Sequence, residues 1–179
     1  MISEYNAILD RDPAATKSEA FLMPGLYAIT VHKYISHPLY LYRARFVARL
    51  ISQIMRRETG IEIHPGAKIG KWMMIDHGMG VVIGETAIIG DNVSIFHGVT
   101  LGGTGKERWK RHPTIGDNVT IGAGSTLLWS ITVGDNVTIG ASTLISGKDV
   151  PSNVTVVGNI PRIVSDNGKK VNRLLKKEK

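Results

Sequence analysis

From residue 63 onward the chain carries an aliphatic residue at every sixth position, and few folds can accommodate that period. A first run is Ile63, Ile69 and Ile75. A second is Ile83, Ile89, Ile95 and Leu101. A third is Ile115, Ile121, Leu127, Val133, Ile139 and Ile145. Glycine follows Ile69, Ile83, Ile89, Ile115, Ile121, Val133 and Ile139, and the near-identical phrases that begin at Ile115 and Val133 lie 18 residues, or three hexapeptides, apart. Each hexapeptide reads as one short strand and one tight turn, so three of them complete a triangular coil. The aliphatic residue points inward and stacks on its equivalent in the next coil, while backbone hydrogen bonds join coils at a rise of about 4.8 Å. Glycine and asparagine suit the turns because they tolerate positive φ. The expected product is a mainly β, parallel β-helix over residues 61–164.

Two breaks interrupt the register. Ile75 to Ile83 is eight residues, and Leu101 to Ile115 is fourteen. Extra residues in a solenoid form loops on one face, often the working face, and the second break predicts an excursion over 102–114. Residues 1–60 lack the repeat. Phe46, Val47, Leu50, Ile51 and Ile54 recur at helical spacing before Gly60, and a second helix is expected over 25–35, ending before His37-Pro38. These helices are expected to cap the first coil. Residues 165–179 form a basic tail, expected to be loose or a short helix using Val171, Leu174 and Leu175.

The charge is confined. Of the net +7, residues 167–179 supply +5, so the remainder is nearly balanced. A solvated tail explains this better than a nucleic-acid arm, and no nucleic-acid-binding motif accompanies it. With no cysteine in the chain, disulfides, thiolate catalysis and Cys-ligated zinc are ruled out. No apolar run is long enough to span a membrane, and the first residues do not read as a signal peptide, so a cytoplasmic protein is expected.

Both breaks coincide with polar residues. His77 and His97 each stand two positions after an inward aliphatic residue, and with the two inserted residues removed they are one coil apart. They should share a face, about 5 Å apart along the axis. Asp76 precedes His77, and Glu62 lies 15 residues earlier, near one coil turn. A carboxylate that accepts a bond from one imidazole nitrogen fixes the tautomer and stabilises the imidazolium when the other nitrogen takes a proton. The segment 101–106, Leu-Gly-Gly-Thr-Gly-Lys, lacks P-loop spacing, but its bare backbone N–H groups could meet a ligand or an oxyanion. His112 and Arg111 close the excursion.

Three stretches together resemble the serine acetyltransferase family of hexapeptide-repeat acyltransferases. They are 75–87, Ile-Asp-His-Gly-Met-Gly-Val-Val-Ile-Gly-Glu-Thr-Ala, then 98–106, Gly-Val-Thr-Leu-Gly-Gly-Thr-Gly-Lys, then 111–116, Arg-His-Pro-Thr-Ile-Gly. The similarity covers about residues 8–164 and includes Arg11-Asp12-Pro13. It implies a left-handed helix, acetyl-CoA as co-substrate, L-serine as acceptor, no metal, and a homotrimer with active sites between subunits. His77 would be the general base and Glu62 its carboxylate partner. Asp12 and Asp76 would receive the serine ammonium, and Arg111 and His112 its carboxylate. Gly102 and Gly103 would line the acetyl pocket, and Ala123 and Ala141 the acetyl-CoA groove. The family tails that bind the next enzyme of cysteine synthesis, a sulfhydrylase, end in isoleucine. This chain ends in Lys-Lys-Glu-Lys, so no tight tail-mediated complex is expected. Two other enzyme readings share the repeat. One is an acetyltransferase for a sugar or another hydroxyl. The other is a γ-carbonic-anhydrase-like hydratase using His77, His97 and His112, which lacks the close histidine pair of that family. A third is a non-catalytic solenoid.

Overall fold

The computed structural model describes residues 2–105, 108–158, 162–166 and 169–174, with side chains as far as Gly158. Fourteen strands of two or three residues wind into a three-faced parallel β-helix. Face A stacks β1 (Glu62–Ile63), β4 (Val82–Ile83), β7 (Thr100–Gly102), β10 (Thr126–Leu128) and β13 (Leu144–Ser146). Face B stacks β2 (Lys68–Ile69), β5 (Ile88–Ile89), β8 (Thr114–Ile115) and β11 (Thr132–Val133). Face C stacks β3 (Met74–Ile75), β6 (Ser94–Ile95), β9 (Thr120–Ile121), β12 (Thr138–Ile139) and β14 (Thr155–Val156).

The register is the one the hexapeptide period predicts. Ile63, Ile83, Leu101, Leu127 and Ile145 align on face A. Ile69, Ile89, Ile115 and Val133 align on face B, and Ile75, Ile95, Ile121 and Ile139 on face C. These columns form the buried core, joined by corner residues such as Val81, Val99, Val93 and Val119. Met73 is one of these buried corner residues. The two breaks become a longer turn between β3 and β4 and a loop of residues 103–113, one residue shorter at each end than expected.

The corner between faces B and C is stitched by a column of asparagines. Nδ2 of Asn92 donates to Oδ1 of Asn118, Asn118 to Asn136, and Asn136 to Asn153, at 2.6, 3.1 and 2.9 Å. All four have φ between 56° and 63°. Asparagine tolerates that left-handed turn, and its carboxamide both donates and accepts along the stack.

The N-terminal residues form a helical cap: α1 (Ile2–Arg11), α2 (Pro24–Val31), α3 (His37–Leu41) and α4 (Arg45–Thr59). The helix expected over 25–35 does not stop at Pro38. A π-helical turn over His32–Ser36 lets the His37 N–H reach the His32 carbonyl, and Pro38 falls in the first turn of α3, where a missing N–H costs little. α4 ends at Gly60 as expected, but its orientation differs from the simplest reading of its periodicity. Ala48, Ser52 and Thr59 face inward, and Ser52 Oγ donates to the Ile63 carbonyl at 2.6 Å. Phe46, Val47, Leu50 and Ile54 are instead exposed, Phe46 at 81%. After the coils, β15 (Arg162–Asp166) and β16 (Lys169–Leu174) pair antiparallel. Val171 and Leu174 thus lie in a strand, where a loose tail or a short helix is expected. Asn167, Gly168, Leu175 and the charged end, 176–179, lie outside the described residues.

Two buried histidines make the fold sensitive to acid. Burial pushes His32 down to about 3, with the neighbouring His37 adding to the shift. Burial likewise pushes His112 down to about 4, helped by Arg111 and Lys110. Both rings are neutral in the folded chain and free to protonate in the unfolded chain below the usual value of 6.5. The unfolded state therefore binds more protons between the folded and unfolded values. Stability should be flat above pH 6.5 and fall as pH drops toward 4, by at most about 1.4 kcal/mol per pH unit for each ring. Urea midpoints measured from pH 8 to pH 4 check this.

Candidate active site

Polar groups gather at two corners of the prism. The first joins face C to face A. The chain leaves β3 at Asp76, and His77 takes φ 57° in the widened turn, which turns its side chain outward to 74% exposure. His77 Nε2 stands 3.8 Å from Asp76 Oδ2, an ion-pair separation longer than a hydrogen bond. His97 occupies the same corner one coil on, with ring centroids 5.9 Å apart. Farther up the corner are Ala123 and Ala141, in the turns after β9 and β12. Backbone bonds tie this stack together, from Gly124 N to His97 O and from Ser142 N to Ala123 O. Asp12 reaches the corner from the turn after α1. With Glu19, Met23, Pro24, Asp76 and His77 it lines a cavity of 520 Å³. Its Oδ1 accepts from the Ala14 N–H at 2.9 Å.

Glu62 begins β1 on face A, beside this corner. Its carboxylate is held by two arginines of α4, Arg49 at 2.7 Å and Arg56 at 3.1 Å. Among the described residues no ion pair joins it to His77, whose nearest carboxylate is Asp76.

The second corner joins face A to face B, where the loop 103–113 returns to β8. Lys110 ties the loop down through Nζ, which donates to the Thr86, His112 and Pro113 carbonyls. Thr86, one coil below, orients the next two residues. Its Oγ1 accepts from the Arg111 and His112 N–H groups at 3.0 and 3.1 Å. Its backbone N–H and its hydroxyl both meet His112 Nδ1. Nδ1 is therefore an acceptor, and the neutral ring carries its proton on Nε2. That nitrogen points toward Gly84 and Gly103. Arg111 Nη2 pairs with Glu85 at 2.5 Å, and Glu85 accepts from the Tyr40 hydroxyl at 2.8 Å. The Tyr40 bond, with that from Arg111, holds the Glu85 carboxyl below its usual range. Tyr40, Lys68, Glu85, Arg108, Trp109 and Arg111 line a cavity of 380 Å³.

Sequence reasoning assigned no role to Tyr40, Gly84, Glu85 or Thr86. The last three lie inside the phrase Gly84-Glu85-Thr86-Ala87, so the available signal was their position one coil below Arg111 and His112. Gly84 is fixed by space, since an added Cβ would lie 2.0 Å from His112 Cδ2. Gly84→Ala should expel the His112 ring, destabilise the fold by roughly 1–3 kcal/mol, and weaken acceptor binding. Thermal melts and acceptor KM measure the two effects.

The bacterial transferase hexapeptide (six repeats) family matches residues 112–147. That match and the three stacked faces fit the class of transferases built on a left-handed parallel β-helix. A serine acetyltransferase of Bacillus pumilus is 52% identical over 172 residues, covering 95% of this chain and 78% of the relative. Among solved structures, a Neisseria gonorrhoeae serine acetyltransferase in complex with serine superposes with a TM-score of 0.82 at 43% identity, over 88% of this chain and 64% of that one. A Brucella abortus serine acetyltransferase in complex with coenzyme A gives 0.84 at 37% identity, over 97% of this chain and 66% of that one. The chain belongs to the serine acetyltransferase family, and spans just under two thirds of these two solved chains.

Proposed function

We propose that the chain transfers the acetyl group of acetyl-CoA to the hydroxyl of L-serine, giving O-acetylserine for cysteine synthesis, at sites shared between copies of the chain in a homotrimer. The observation that carries this is the division of the polar groups. Asp12, Asp76 and His77 stand at the corner between faces C and A; Arg111, His112, Gly102 and Gly103 stand at the corner between faces A and B. The corners are separated by face A, whose strands alone extend about 10 Å. Serine carries its ammonium and carboxylate on one carbon, so both sets must converge on one point. A threefold arrangement brings the first corner of one copy against the second corner of the next.

In that site His77 removes the hydroxyl proton as the serine oxygen attacks the thioester carbonyl. The C–O bond forms and, when the tetrahedral intermediate collapses, the C–S bond breaks. The proton held by His77 passes to the thiolate of the departing CoA. Asp76, and Glu62 if released from its arginines, stabilise the imidazolium. Asp12 and Asp76 hold the ammonium, Arg111 and the Nε2–H of His112 the carboxylate, and backbone N–H groups at Gly102 and Gly103 face the acetyl oxygen. Ala123 and Ala141 leave room for the cofactor chain. No resident metal is assigned a part.

No helix among the described residues is long and apolar enough to cross a membrane, and we place the activity in the cytoplasm. No nucleic-acid partner is assigned, nor is tight sulfhydrylase binding through the tail. CoA release measured with L-serine, L-homoserine and sugar acceptors tests the reading. Serine-dependent release is expected; release with a sugar alone would move the assignment to a sugar acetyltransferase.

A further inference from the structure

We propose that Arg11 is a positioning residue that sets Asp12 opposite Asp76 and His77, and so governs recognition of the acceptor's ammonium group; this rests on the site reading above. The asparagine column between faces B and C explains why an arginine is needed. Each carboxamide oxygen above Asn92 accepts from the asparagine one coil below: Asn118 from Asn92, Asn136 from Asn118, Asn153 from Asn136. In the lowest coil the position is Trp72, with the same left-handed φ of 58° but no carboxamide. The Asn92 oxygen would have no donor there. Arg11 supplies one: Nη2 donates to Asn92 Oδ1 and, at 2.9 Å, to the Trp72 carbonyl. Nη1 donates to Ser94 Oγ at 3.0 Å and to the Val93 carbonyl at 3.4 Å. One planar fork thus clamps the last residue of α1 to two coils at once, a task the three-donor ammonium of lysine fits poorly.

Asp12 is the next residue. α1 lies across the outside of face C, with Ala7 and Ile8 packed on Met74 and Leu26, and its final backbone bond runs from Asp12 N to Ile8 O at 2.9 Å. Beyond it only the short turn from Asp12 to Ala15 holds the carboxylate, with Oδ1 bonded to the Ala14 N–H. Asp12 lines the cavity it shares with Asp76 and His77. Helix ends fray unless tied down, and Arg11, the residue before Asp12, ties this end of α1 to the coils.

The test compares wild type, Arg11→Ala, Arg11→Lys, Asp12→Asn and the Arg11→Ala/Asp12→Asn double variant. L-serine and 3-hydroxypropionate serve as acceptors, the latter having the same hydroxyl and carboxylate but no amino group. Arg11→Ala should raise the KM for serine roughly 10- to 100-fold, the scale of one charge-assisted contact. It should leave the KM for acetyl-CoA within about twofold and shrink the preference for serine over 3-hydroxypropionate by a similar factor. Arg11→Lys should restore little, and the double variant should be no worse than Asp12→Asn. A purely structural role would lower kcat for both acceptors alike; an unchanged preference, or additive effects in the double variant, overturns the proposal. Wild-type turnover of serine is measured first, and its absence would count against the proposed function alone. The clamp is then read by hydrogen exchange: lost protection over 12–16 in Arg11→Ala with the strands of face C still protected supports it, and retained protection overturns it.

Discussion

His77→Ala should lower kcat by about 10²–10⁴-fold, the usual loss when a general base is removed, with far smaller changes in the KM for either substrate. The turn after β3 holds His77 outward at a left-handed φ, beside Asp76, where an acceptor hydroxyl can reach the ring. The other imidazole at this corner, His97, is one coil and 5.9 Å away, across an edge-to-face contact rather than in line with the same cavity. It cannot take over without moving the acceptor by a full coil, so His97→Ala should cost much less than His77→Ala. Glu62→Gln should also cost less, but visibly. Because it loosens the pairs to Arg49 and Arg56, kcat and Tm need to be measured on the same preparation. Turnover of His77→Ala within about threefold of wild type would remove the base from the mechanism.

The second large effect is expected at the other corner. Arg111→Ala should raise the KM for serine by roughly 10- to 100-fold, because a carboxylate loses a charge-assisted, planar donor pair. The KM for acetyl-CoA should change little. Glu85→Gln tests how that guanidinium is held. It weakens the ion pair to Arg111 while keeping a group for the Tyr40 hydroxyl, so serine KM should rise less than in Arg111→Ala. An Arg111→Ala enzyme with wild-type serine KM would mean that the carboxylate binds elsewhere.

The β-helix was legible because its period is set by one repeated physical event, an aliphatic side chain turned inward once per strand. Ile95, for example, is fully buried where the six-residue count places it. Both register breaks could be located for the same reason. The cap was harder to read. The apolar positions of α4 identify a helix but not its orientation, since the inward face uses the small residues Ala48 and Ser52, which lie close to the coil and bond to its backbone. At Pro38 a π-turn supplied the room that an ordinary helix lacks. In the candidate site, His77, Asp76, Arg111 and His112 could be singled out from chemistry and resemblance. Thr86 could not, because its importance comes from contacts made 25 and 26 residues along the chain, one coil above it. Glu62 shows the converse: its spacing brings it to the His77 corner, but the arginines of a helix outside the repeat hold its carboxylate.

The claim that one site draws on two copies of the chain can be tested by mixing two inactive variants. His77→Ala subunits retain Arg111, and Arg111→Ala subunits retain His77. If each site takes its base from one copy and its guanidinium from the next, random assembly in equal amounts leaves about one quarter of the interfaces with both groups intact, as follows for a heterologous ring. Co-refolded or co-expressed mixtures should then recover serine-dependent CoA release to about a quarter of the wild-type rate at saturating substrate. A mixture no more active than the average of its two parents would show that each site is built within one chain, and would contradict the account.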